Sequence, residues 1–187
     1  MKPKLLLLTL TFLHLLTTTL NAQELKQKQL DYLSQHGIEL IDSAKLYNEV
    51  LKDNGKVKMV AIFTNYCVGT PYLFKDITKM KEQFGDKMEY ILCSSAPKKR
   101  MDDLVQVLKA NNYTGKVYFI DPAQYKEKSD DRKKGFDFRN AICEPCRDEV
   151  IGTPYRIFFS TKSEVLFHGY SSRNDFEKML TEYFSNE

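Results

Sequence analysis

The chain has 187 residues, 42% hydrophobic and 28% charged, which suits one globular domain around a single core. A net charge of +3 spread over that length argues against a nucleic-acid footprint. The basic clusters Lys98-Lys99-Arg100 and Arg132-Lys133-Lys134 are accordingly expected to be solvated faces. No repeat or low-complexity tract is present, so solenoid and tandem architectures are excluded.

Met1-Lys2-Pro3-Lys4 followed by the apolar run Leu5 to Leu16 reads as a secretory leader (residues 1–22), with Leu20-Asn21-Ala22 offering a small residue before the cut. The run is short and interrupted by threonines, so it is a poor bilayer span, and no stable membrane insertion is expected after cleavage. Its loss removes Lys2 and Lys4 and no acid, and the charge falls from +3 to +1. Export implies an oxidising compartment, periplasmic or secreted, in which Cys67, Cys93, Cys143 and Cys146 can pair. Four cysteines allow three complete pairings, and spacing does not choose among them.

Residues 23–55 carry apolar side chains at helical intervals and read as an N-terminal helical extension packed on the domain, with Ser43 as a cap for a helix to about Leu51. From Lys56 strand and helix alternate. Val57 to Phe63 is a strand, and Pro71 to Phe84 is a helix with Gly85 just past its end. Met88 to Cys93 is a near-continuous apolar strand of the kind buried on both faces, ending in Cys93 as a core residue. Pro97 to Asn111 is a helix, Lys116 to Ile120 a third strand, and Ala123 to Asn140 a helix or long crossover. Arg156 to Ser160 and Val165 to Tyr170 form a hairpin across Thr161-Lys162-Ser163-Glu164, and Asn174 to Phe184 closes the chain as a helix with Phe176, Met179, Leu180 and Tyr183 inward. This order, βαβαβ, a crossover, then ββα, requires parallel pairs joined by helices and an antiparallel hairpin. The fold class is therefore an α/β sandwich around one mixed sheet (residues 56–187).

The chemistry centres on Tyr66-Cys67-Val68-Gly69-Thr70-Pro71. A cysteine between a strand end and a helix start lies where unpaired N–H groups and the helix dipole favour a thiolate. Much later, Gly152-Thr153-Pro154 opens the strand of the terminal hairpin. This arrangement resembles the thioredoxin-like superfamily over roughly residues 56–184, and more closely its exported TlpA/ResA-like branch. The resemblance implies a three-layer thioredoxin-like sandwich, Cys67 as the attacking thiol, and a cis-proline at Pro154. It also implies that Tyr66, Thr70, Thr153 and Pro154 contact substrate. Two departures stand out: Thr70 replaces the family's second cysteine, and Tyr66 its tryptophan. A lone thiol forms a mixed disulfide but has no local partner to resolve it. Thr70 is expected to donate a hydrogen bond to a Cys67 thiolate, as in monothiol members.

Cys143-Glu144-Pro145-Cys146 is a second C-x-x-C, with spacing that admits a structural disulfide, half a metal site, or a pair that resolves Cys67. His36 and His168 stand far from it in sequence, so neither a metal nor a cofactor is expected. Two functions remain open. One is thiol-disulfide exchange on exported proteins, or with a redox partner bearing exposed cysteines. The other is a non-catalytic module that binds extended peptides around Cys67 and Pro154.

Overall fold

The computed structural model describes residues 25–125, 131–147, 149, 152–170 and 175–186. The leader assigned to residues 1–22 lies outside the described residues. Helix α1 (Gln27–Gln35) ends at His36, and Gly37, with φ +66°, turns the chain in a left-handed conformation suited to glycine. Strand β1 (Ile38–Ile41) follows, then a short helix α2 (Ser43–Lys45) that widens into a π-helical turn over Leu46–Val50. The domain proper comprises β2 (Val57–Phe63), α3 (Thr70–Phe84), β3 (Met88–Ser94), α4 (Met101–Ala110), β4 (Lys116–Ile120), α5 (Asp131–Ile142), β5 (Tyr155–Phe159), β6 (Val165–Gly169) and α6 (Phe176–Ser185).

The sheet order is β1-β4-β3-β2-β5-β6, parallel from β1 through β2 and antiparallel at β5 and β6. The extension therefore does more than pack a helix on the domain. Ile38 to Ile41 pair with Val117 to Ile120 and supply an edge strand. Ile38 and Ile41 fit a helical interval and a short strand equally well, and the free edge of β4 decides for the strand. The cap also moves by one residue: the Asp42 carboxylate, not Ser43, accepts the Lys45 N–H at 2.7 Å.

Side-chain alternation sorts the core into two layers. Met59, Ala61 and Phe63 join Leu73, Ile77, Leu104 and Leu180 on one face, against α3, α4 and α6. Val60 and Ile62 join Phe138, Ile142, Tyr155 and Ile157 on the other, under α5. Every residue of β2 is buried, so the strand is the central spine of the sheet, and its C-terminal end delivers the chain to Cys67. The cluster Arg132-Lys133-Lys134 is not a solvated face throughout. Lys134 is fully buried, donates to the Ala96 carbonyl at 2.7 Å and lies 4.2 Å from the Phe119 ring centroid, so a carbonyl and a π-face replace water.

Candidate active site

Cys67 sits in the loop between β2 and α3. The loop is drawn tight by the Cys67 N–H donating to the Thr64 carbonyl at 3.2 Å and the Thr70 N–H donating to the Cys67 carbonyl at 3.0 Å. Pro71 in the first turn of α3 suits a position whose N–H has no helical partner. The half-buried Cys67 thiol donates to the Thr153 carbonyl at 2.9 Å, and the Thr153–Pro154 bond is cis. The Thr64 and Thr153 hydroxyls, 3.4 Å apart, tie the two loops together a second time. Gly69 makes the close approach possible: a Cβ there would stand 2.7 Å from Pro154 Cδ. The loop and the first turn of α3 expose apolar side chains. Tyr66, Val68 and Tyr72 are three of the four exposed large hydrophobic residues of the described chain, with Val68 87% exposed. The Arg100 guanidinium covers the Tyr66 ring at 4.4 Å, held by Asp103 at 2.7 Å, and Asn65 donates to the Arg100 carbonyl at 3.1 Å.

The other cysteines lie elsewhere. Cys93 is buried in β3, where desolvation pushes its thiol well above the ordinary range. Cys143 and Cys146 form a disulfide at the end of α5, with Cα atoms 5.3 Å apart, and both belong to the core layer under α5. His168 joins them. It pairs with Ile157 across the hairpin and so faces the same layer as Tyr155. One of its ring nitrogens and both sulfurs all lie within 4.8 Å of one another. His168 Nδ1 is 2.8 Å from the Tyr155 hydroxyl and 3.1 Å from Glu149 Oε1, while Tyr155 donates to Glu149 Oε2 at 2.8 Å. Burial first, then the bond to Glu149, raise the Tyr155 hydroxyl pKa, so it stays protonated.

Among solved structures the chain is similar to a thiol:disulfide interchange protein of the thioredoxin family from Chlorobium tepidum TLS. Identity is 15% and the TM-score 0.51, over 71% of this chain and 81% of that one. It is also similar to the thioredoxin domain of a thiol-disulfide oxidoreductase from Bacteroides vulgatus (18% identity, TM-score 0.50, 73% and 83% covered). A thioredoxin-like protein from Porphyromonas gingivalis matches at 13% identity and a TM-score of 0.50, with 71% and 76% covered. The fold is thioredoxin-like. No protein-family model matches the sequence, and no curated protein matches it.

On this thioredoxin-like scaffold Cys67, Thr153 and Pro154 come together, and Tyr66 borders them. Thr70 does not play the part the sequence suggested. It is 1% exposed, and its hydroxyl donates to the Thr64 carbonyl at 2.6 Å, so its one proton points at backbone and not at Cys67, and it presents no surface to substrate. Cys143 and Cys146 are bonded to each other in the layer under α5, whereas α3, which begins at Thr70 just after Cys67, packs on the opposite face. The reading of His168 as isolated is corrected as well. A hairpin register, invisible as a motif, carries it to the second C-x-x-C. Arg100, Asn65 and Thr64 were missed. The only signal for them was proximity in sequence to Cys67, or membership of a basic cluster that seemed merely solvated.

Proposed function

We propose that this protein carries out thiol-disulfide exchange outside the cytoplasm, with Cys67 as the attacking thiol. The observation that carries the proposal is the half-buried Cys67 sulfur 2.9 Å from the carbonyl of a cis-proline loop, on a segment that also exposes Tyr66, Val68 and Tyr72. The apolar segment fits an unfolded or extended polypeptide better than a small thiol, and Thr153 offers it backbone groups. Solved structures of similar fold that are named as thiol-disulfide oxidoreductases or interchange proteins point the same way. The leader-like run before Ala22 and the Cys143–Cys146 disulfide agree with an exported protein.

The Cys67 thiolate attacks one sulfur of a substrate disulfide. A Cys67–substrate bond forms, the substrate S–S bond breaks, and the second substrate sulfur leaves as a thiolate. With Thr70 in place of a second cysteine, the mixed disulfide waits for an external thiol, which takes the substrate sulfur and returns Cys67 as a thiolate. The partners are exported proteins, or a redox partner with exposed cysteines.

The test is to incubate the full chain with a disulfide-bonded peptide and look for the covalent adduct by mass spectrometry. An adduct on Cys67 that is absent in Cys67→Ser, and released by added glutathione, is the expected result. No adduct on Cys67 in the parent chain overturns the proposal and leaves a peptide-binding groove as its use.

A further inference from the structure

We propose that the second C-x-x-C is a redox-gated zinc site, in which Cys143, Cys146 and His168 bind Zn²⁺ once their disulfide is reduced. Three donor atoms of the types zinc favours lie within 4.8 Å of one another. A tetrahedral Cys₂His centre asks for sulfurs about 3.8 Å apart and sulfur to nitrogen distances of about 3.5 Å, given Zn–S near 2.3 Å and Zn–N near 2.05 Å. The spacing of the two cysteines is also one that zinc sites use.

The hydrogen-bond chain around His168 supports the same assignment. The Tyr155 hydroxyl donates its single proton to Glu149 Oε2 at 2.8 Å. Tyr155 oxygen can then meet His168 Nδ1 at 2.8 Å only as an acceptor, which puts the ring proton on Nδ1. Glu149 Oε1 lies 3.1 Å from the same nitrogen. In a neutral ring with its proton on Nδ1, the lone pair that a metal takes belongs to Nε2. A carboxylate that orients a histidine through the nitrogen not used for the metal is a recurrent support of zinc centres. The charges also sum correctly for a buried place. Two thiolates and one Zn²⁺ cancel, and the two cysteines are 1% and 0% exposed. His168 at 21% and Glu149 at 35% side-chain exposure leave a route for the ion.

The two states interconvert without imbalance. A dithiol or phosphine reductant delivers two electrons to the Cys143–Cys146 bond, and the sulfurs take up two protons while the reductant is oxidised. Zn²⁺ then displaces both protons to solvent. Oxidation of the two thiolates to the disulfide returns two electrons to the oxidant and ejects the ion.

The experiment titrates Co²⁺, as a spectroscopic stand-in, and then Zn²⁺ into the phosphine-reduced full chain, in parent and variants. One equivalent of cobalt with thiolate charge-transfer and tetrahedral d–d absorption is expected, displaced by Zn²⁺, and none in the oxidised chain. His168→Gln should weaken binding by more than tenfold. Glu149→Gln, at a partly exposed residue whose amide oxygen can still accept from Tyr155, should keep the spectrum and weaken binding by about 10- to 100-fold. A reduced chain that takes up no cobalt overturns the proposal. So does binding that survives both substitutions at the parent's affinity, because the cobalt would then sit on Cys67 or another thiol.

Discussion

The two sulfur sites of this chain, one in the loop before α3 and the other at the end of α5 on the opposite face of the sheet from that helix, are built in opposite ways. Cys67 is displayed: backbone bonds shape its loop, the Thr153 carbonyl before the cis-proline meets its thiol, and the same segment exposes Tyr66, Val68 and Tyr72. Cys143 and Cys146 are enclosed, packed with Phe138, Ile142 and Tyr155 and bordered by the His168–Tyr155–Glu149 chain. A disulfide exchanges only as fast as a thiolate can reach it, so burial alone makes the second site slow and the first site fast. On the reading proposed above, Cys67 does the covalent work and the pair has a structural or metal-gated role. The contrast also means that one site should be breakable without the other.

The largest expected effect comes from Thr70→Cys. If the loop is competent and lacks only a resolving thiol, this change supplies one on the same turn, where the Thr70 N–H already bonds the Cys67 carbonyl at 3.0 Å. Release of the mixed disulfide should accelerate by at least about tenfold, since a tethered thiol acts at an effective concentration of roughly millimolar or more. Quenched-flow capture of the adduct checks it, and an unchanged adduct lifetime breaks the assignment of Thr70 as the missing partner.

Next come two glycines, one on each face. An Ala Cβ at Gly69 would lie 2.7 Å from Pro154 Cδ, and one at Gly135 would lie 2.9 Å from Ser95 Cβ. Each substitution should lower stability by about 1–3 kcal/mol in urea unfolding, as overpacking generally does. Only Gly69→Ala should also slow adduct formation, because it pushes the cis-proline loop off the sulfur. Equal slowing in both would show that the faces are coupled.

Much of this arrangement was legible before any coordinates. The apolar, β-prone run Val57 to Phe63, the helical spacing of Leu73, Ile77 and Met80, and the hairpin before the last helix were enough for the sheet and its thiol loop. Three things were not legible, for physical reasons. The strand at Ile38–Ile41 exists because β4 has an open edge, which no local pattern encodes. Lys134 is buried because a carbonyl and an aromatic face wait for it from other elements. His168 reaches Cys143 and Cys146 through strand register, and register is a property of two segments at once.

The double substitution Cys143→Ala with Cys146→Ala tests the enclosed site directly. The pair is only three residues apart, and closing so short a loop restricts the unfolded chain by about 2 kcal/mol. Stability should fall by that amount while Cys67 forms its adduct at the parent rate. Loss of adduct formation in the folded variant would instead make the pair a partner of Cys67, and the separation of the two faces would fail.

The smallest effect, and the sharpest for the loop, is expected of Thr70→Val. The shape is nearly kept and the hydroxyl is lost. If the hydroxyl serves the Thr64 carbonyl, as the 2.6 Å bond indicates, its removal leaves that oxygen with the Cys67 N–H at 3.2 Å as its remaining backbone donor. The cost should then be about 1 kcal/mol, the ordinary net worth of one hydrogen bond, because the carbonyl is not stranded. Adduct formation at Cys67 should not change. A hydroxyl that instead turned to stabilise the attacking sulfur would give the reverse pattern, with stability kept and reaction slowed. Measuring both quantities on one variant therefore separates a threonine that holds the loop from one that activates its thiol.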